Sequence, residues 1–180
     1  YTEFSAFDDA GFWEEFHLRS YHKSAYREAA CAYDALFEQR SSLADNPIVR
    51  AATERMAAPH WLQRAEYRGC IFDAYLQNTI VFTNSMMFRR GLLDRVGLQD
   101  PYFGHFHDLE FALRICREGC VGFIDNPTYK LRYHPGQVSS RQGPGGEDNR
   151  VKLQRDLLRV ARKHVREDTP YYQKNRAAAD

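Results

Sequence analysis

No apolar run in this chain approaches the length of a membrane span, and none has the layout of a signal peptide. The location expected is therefore the cytoplasm, including the inner face of its membrane. Excess charge is lacking too. Lys and Arg number 25 against 24 Asp and Glu, a net charge of +1, so the chain as a whole has no electrostatic reason to seek nucleic acid. Cysteine is sparse. Cys31, Cys70, Cys116 and Cys120 show no paired zinc spacing and read as free, mostly buried thiols of a reducing compartment. There is no internal repeat. An initial methionine is missing as well: the chain opens on Tyr1, which reads as a fragment or a processed product.

What is present is enough apolar and aromatic content for one folded body with a sizeable core. The most informative stretch is 102–140. Leu109, Ala112, Leu113 and Cys116 recur at helical spacing behind Asp108, while Glu110, Arg114 and Arg117 are expected to point elsewhere. Gly119 is placed to stop that helix. Residues 121–124 read as a short buried strand, Asn126-Pro127 as a turn, and 128–133 as a returning strand that delivers His134 to a Pro-Gly loop.

Elsewhere the pattern is plainer. Residues 1–7 alternate weakly and end in Asp8-Asp9, which reads as a strand closed by acids. A helix is expected from Gly11, with Phe12, Trp13 and Phe16 on one side. Residues 29–37 are apolar enough for a buried strand, and 40–48 form a loop broken at Asn46-Pro47. A helix follows over 49–58, stopped or kinked by Pro59. Residues 61–77 are ambiguous, a helix with a break at Gly69. Residues 79–88 give the clearest strand by composition, and 91–96 a short helix closed by Gly97. A last helix, capped by Asp148, runs to about Arg166, with Leu153, Leu157, Val160, Ala161 and His164 as its apolar stripe. Its remaining face is basic. That face is either a solvated surface or, over 150–166, a surface for contact with something anionic, a membrane leaflet met peripherally or an acidic partner. Residues from Thr169 on read as a frayed tail.

Several residues in this order carry a resemblance: a helix opening on an acid, then Arg and Gly, a short strand ending in Asp-x-Pro, and a strand ending in Arg-x-His-x-x-Gln-x-Ser. With Asn84-Ser85, Leu92-Leu93, Val96-Gly97 and Tyr102-Phe103 upstream, the chain resembles family 2 glycosyltransferases of GT-A fold. The resemblance covers about 1–140 and is strongest over 84–139. It implies an α/β domain, a GT-A-like mixed sheet flanked by helices, lacking the N-terminal nucleotide-binding βαβ units. Residues 1–147 would form that partial core and 148–180 a basic amphipathic helix and tail.

The implied reaction is inverting transfer of a sugar from a nucleotide-sugar donor to a hydroxyl of a saccharide or lipid-linked acceptor, as in polysaccharide biosynthesis. Asp108 would be the base, although His107 stands where the family usually has Glu, which changes the electrostatics around the acid. Taken without the family, Asp108 is a plain helix cap. Asp8, Asp9 and His134 would bind Mn2+ or Mg2+. Ala10 stands where a third acid is often found, and two adjacent acids after a strand also make an ordinary turn. Arg132, Gln137, Ser139 and Arg141 would meet the donor phosphates, or else belong to a surface loop. Two other functions compete. One is an inactive partial GT-A domain serving as a binding or scaffold module. The other is a hydrolytic metal site, if His105 and His107 alternate on a strand and point the same way.

Overall fold

The computed structural model describes residues 1–21, 33–77, 80–134 and 150–166. Among these the chain forms two compact units, one from 1–88 and 116–133, the other from 89–115 and 134–166. The fold is mixed α/β, with a five-stranded mixed sheet and flanking helices.

The sheet lies in the first unit, in the order β2-β1-β5-β4-β3. The strands are β1 (Thr2–Asp8), β2 (Trp13–Glu14), β3 (Gln39–Ser42), β4 (Ala65–Gly69) and β5 (Val121–Tyr133). β1 ends on Asp8 as the alternation implied. Its buried Glu3 was not foreseen: Oε1 accepts from the backbone N–H of Phe4 at 2.9 Å and of Leu18 at 2.7 Å, tying the strand to the start of α1 (Leu18–Tyr21). Two groups of rings fill the core. Tyr1, Phe37, Tyr67 and Phe123 form one, and Phe4, Tyr21, Phe82 and Tyr129 the other, with centroids about 4–6.5 Å apart.

The hairpin expected over 121–133 is one continuous strand. Ile124 and the residues before it pair antiparallel with β4, whereas most of the rest pairs parallel with β1. The two halves thus find different neighbours rather than each other. Asn126-Pro127 is absorbed as register irregularities opposite Thr2, Glu3 and Phe4, the bulged setting in which a strand tolerates proline. Arg64 braces the spot, with Nε donating to the Asp125 carbonyl at 2.7 Å and Nη2 lying 3.0 Å from its carboxylate.

Four other sequence expectations change in this unit. Residues after Gly11 make β2 and then α1 instead of one helix, because Trp13 and Glu14 complete the sheet edge against Ala6 and Phe7. Of the expected strand 29–37, residues 29–32 lie outside the described residues and Tyr33–Leu36 is a helical turn, α2. The expected loop 40–48 contains β3, a polar edge strand, and Asn46-Pro47 starts α3 (Pro47–Met56) rather than breaking the chain. Asn46 Oδ1 accepts from Ile48 N and Val49 N, with proline at the first helical position. The helix ends at Ala57 in the left-handed conformation. Ile80, Val81 and Phe82 are buried, but 80–88 joins no ladder. A 3-10 turn at Thr83–Ser85 docks on β1 through Ser85 Oγ, which donates to the Thr2 carbonyl at 3.0 Å. The ambiguous 61–77 resolves into a 3-10 turn, β4 and α4 (Phe72–Gln77).

In the second unit, α5 (Leu93–Val96) is closed by Gly97 at φ +73° as expected. A 3-10 segment, Pro101–Phe106, leads into α6 (His107–Arg117), whose Leu109, Ala112, Leu113 and Cys116 are buried. Glu110, Arg114 and Arg117 are buried too, contrary to expectation. Arg114 Nε meets both Glu110 oxygens at 2.9 and 3.0 Å, Nη2 donates to the Leu98 carbonyl at 2.9 Å, and Nη1 donates to the Val96 carbonyl.

The last helix, α7 (Arg150–Val165), packs on the 3-10 segment. Among its described side chains the buried ones are Asp156, Val160 and His164, one turn apart, whereas Leu157, assigned to the apolar stripe, is 44% exposed; the Leu153 side chain lies outside the description. Asp156 explains the shift of face. It receives the His105 ring at 3.4 Å and Arg159 at 3.0 Å, while Arg159 and Lys163 lie over the rings of Tyr102 and Phe103. Burial works to raise the Asp156 carboxyl, but hydrogen bonds from the His105 ring and backbone, with nearby positive charge, hold it below the usual carboxylate range.

Gly104 sits beside Asp156 at φ +55°, and a Cβ there would come 2.6 Å from Asp156 Oδ2. Gly104→Ala should therefore cost about 1–3 kcal/mol from backbone strain alone, read as a lower urea midpoint. An unchanged midpoint would mean that this turn does not hold Asp156.

Candidate functional site

β1 and β5 run parallel, so their carboxyl ends lie side by side, with Phe7 opposite Arg132 and Asp8 opposite Tyr133. Ligands of open α/β sheets gather at such ends. Asp8 shapes the turn that follows: its Oδ1 accepts from the backbone N–H of Ala10 at 2.9 Å and of Phe12 at 2.8 Å. The acid pair does make a turn, then, and the turn aims Asp9 outward. Asp9 meets Arg132 in a two-pronged ion pair, Oδ2 to Nη2 at 2.5 Å and Oδ1 to Nε at 3.2 Å. Both side chains are more than half exposed, so water screens the pair and its contribution to stability is small. Asp9 pushes the Arg132 guanidinium above its ordinary range through the hydrogen bond first and its charge second. Two residues 123 positions apart, assigned on sequence to a metal and to a diphosphate, are thus direct partners.

A second group here was missed on sequence. His17 is buried between Glu14 and Tyr133. Its Nδ1 lies 2.5 Å from Glu14 Oε2, and its Nε2 lies 2.8 Å from the Tyr133 hydroxyl. Ser20 donates to the other Glu14 oxygen at 2.6 Å. With Nδ1–H donating to the carboxylate, Nε2 accepts from the phenol, and Tyr133 is held beside Asp8. Burial first, then Tyr21 and Glu14, raise the Tyr133 phenol. The Glu-x-x-His spacing at 14–17, which brings the two side chains to one side of a tight turn, was the available signal. Trp13, 54% exposed, and Phe12 stand on the same turn, with Lys130 over the Trp13 ring at 5.7 Å.

The remaining candidates lie in the second unit or outside the description. Asp108 is the second residue of α6, half-buried, with Oδ1 accepting from the adjacent Leu109 N–H at 2.7 Å. It stands inside the first turn rather than at the cap position, where the helix dipole still favours its negative charge. His107 Nδ1 donates to the Gly104 carbonyl at 2.6 Å, and the His105 ring faces Asp156. Neither histidine is on a strand, so the alternating pair expected of a hydrolytic site is not formed. His134 is exposed and follows β5 directly. Gln137, Ser139 and Arg141 lie outside the described residues.

Adjacent carboxylates at a strand end suit a hard divalent cation such as Mn2+ or Mg2+, whereas imidazole suits a divalent transition metal. Asp9 serves it only once Arg132 turns away. Among the described residues, no three His, Cys, Asp or Glu side chains are gathered closely enough to hold an ion as they stand.

Two of the three described cysteines, Cys70 and Cys120, are exposed, against the expectation of mostly buried thiols. Cys116 is buried, and burial pushes its thiol to about 12. No helix among the described residues is long and apolar enough to cross a membrane. Compared with protein-family models, with curated proteins and with solved structures, the chain finds no match.

Proposed function

We propose that the chain is the acceptor-side part of an inverting glycosyltransferase of GT-A type, which moves a sugar from a nucleotide-sugar donor to an acceptor hydroxyl with metal assistance. The observation that carries this reading is the acid pair and guanidinium at the carboxyl ends of the parallel strands β1 and β5. The order of motifs from Asn84 to Ser139 supports it.

Mn2+ or Mg2+, held by Asp8, Asp9 and His134, would supply positive charge against the leaving diphosphate. Arg132 leaves Asp9 and pairs its planar fork with the diphosphate, joined by Gln137, Ser139 and Arg141. Trp13 and Phe12 offer ring faces to the apolar side of a sugar. Asp108 takes the proton of the acceptor hydroxyl as that oxygen attacks the anomeric carbon and the bond to the diphosphate breaks, inverting the centre. The acceptor is a saccharide or a lipid-linked sugar, and the basic face of α7 suits peripheral contact with the inner face of a membrane.

The test is a binding titration of nucleotide-sugars to the complete protein, with and without Mn2+. His134→Ala should weaken metal-dependent donor binding about tenfold or more, and an unchanged metal dependence would remove His134 from the site. A second reading, an inactive partial domain that acts as a binding or scaffold module, draws on one observation: both Asp9 oxygens are occupied by Arg132. It predicts no nucleotide-sugar binding with any divalent metal.

A further inference from the structure

Cys70 follows β4 and Cys120 precedes β5, and these strands run antiparallel with Gly69 opposite Val121. One further step in that register sets Cys70 opposite Cys120. Their sulfur atoms lie 3.8 Å apart, and both residues are exposed. Facing residues of antiparallel strands have Cα atoms about 4.5–5.5 Å apart, within the span a disulfide bridges. The backbone on one side is already fixed, because the Cys70 N–H donates to both Glu38 carboxylate oxygens at 3.0 and 3.2 Å. On the other side Val121 is held in the ladder. Side-chain rotation alone then has to bring the sulfur atoms to the bond length of about 2.05 Å.

We infer that Cys70 and Cys120 form a site of reversible disulfide modification, with small-molecule disulfides such as oxidised glutathione as the oxidant. One cysteine thiolate attacks a glutathione sulfur and expels a glutathione thiolate. The other thiolate then attacks the protein sulfur of the mixed disulfide and expels the second. Two protein thiols are oxidised, one glutathione disulfide is reduced to two glutathione molecules, and the two protein protons pass to the leaving thiolates. The Cys70 thiol is held above its ordinary range by its hydrogen bond with Cys120, then by slight burial and the negative charges of Cys120, Glu38 and Asp73. The exchange therefore quickens as pH rises above neutrality. The bond would close the chain from the end of β4 to the start of β5 into one loop and tie the segment that follows α6 to the sheet.

The experiment incubates the reduced full chain with oxidised glutathione, quenches with acid, alkylates the remaining thiols and maps the peptides by mass. The expected product is lighter by two hydrogen atoms, carries no glutathione, and yields one linked peptide pair containing Cys70 and Cys120. Its thermal midpoint lies several degrees above that of the reduced chain. Cys70→Ser and Cys120→Ser each should instead retain a stable glutathione adduct on the surviving partner. Stable adducts on both residues of the unaltered chain, a bridge to Cys31 or Cys116 instead, or no reaction of either thiol would overturn the assignment.

Discussion

Asp108→Asn is expected to lower sugar transfer by about 10²–10⁴-fold, the usual worth of a positioned general base, while donor binding stays nearly unchanged. The substitution is close to a single-atom change. The asparagine carbonyl oxygen can still accept from the Leu109 N–H, so the first turn of α6 keeps its hydrogen bond. The loss of negative charge near the helix N-terminus costs about 0.3–1 kcal/mol, too little to unfold the domain. What disappears is the capacity to take a proton from the acceptor hydroxyl. That loss should fall on turnover and not on the donor dissociation constant, because the proton moves only in the transition state. Calorimetric titration of the donor beside initial-rate measurements on the complete protein separates the two. Equal losses in both would assign Asp108 to donor binding or to the helix start, and the proposed base would have to be sought elsewhere.

The parts of the fold legible in the sequence are those whose signal is local. The apolar recurrence of Leu109, Ala112, Leu113 and Cys116, the Gly97 stop and the run of β1 to Asp8 need only a few neighbouring residues to be read. The misread parts depend on partners far along the chain. Asn126-Pro127 has every local mark of a turn, yet it lies within a strand because 121–124 and the rest of β5 pair with different neighbours. Residues 79–88 have strand composition, but the described part, 80–88, joins no ladder: Ile80, Val81 and Phe82 are buried, and Phe82 stacks on Phe4 of β1 instead of pairing with it. β3 reads as loop because Gln39, Arg40, Ser41 and Ser42 form an edge strand with no buried apolar face to show a period.

The candidate site divides in the same way. Asp8 and Asp9 were visible as acids at a strand end. The partnership of Asp9 with Arg132 and of His17 with Tyr133 was not, since parallel pairing across more than a hundred residues creates both. The clearest missed signal was Glu110 with Arg114. Two charges four apart on a helix are expected to point away from its apolar face, when the same spacing also lets them neutralise each other inside.

That buried pair carries the second large prediction. Glu110→Ala should lower stability by about 3–5 kcal/mol, the cost of leaving a buried charge without its partner. Glu110 has no exposed side-chain surface, and its carboxylate meets Arg114 Nε and, at 2.7 Å, Lys163 Nζ. Lys163 is partly exposed and can turn to water when the carboxylate is gone, so it contributes little to the loss. Arg114 has no such escape. Its side chain is 5% exposed, and the carbonyls of Val96 and Leu98 stay as acceptors without neutralising it.

A urea midpoint lower by about 1–5 M is the corresponding readout, with slopes of about 1–3 kcal/mol per molar urea for small proteins. The double variant Glu110→Leu with Arg114→Met should recover most of that loss, because it removes both charges and keeps apolar volume in their place. Recovery would show that the penalty belongs to the unpaired guanidinium and not to the missing side-chain volume. A single variant within about 1 kcal/mol of the parent would mean that Arg114 reaches water on its own. The buried face of α6 would then rest on its apolar residues Leu109, Phe111, Ala112, Leu113 and Cys116, and Asp108, two residues before Glu110, would stand on a helix anchored by apolar contacts rather than by charge.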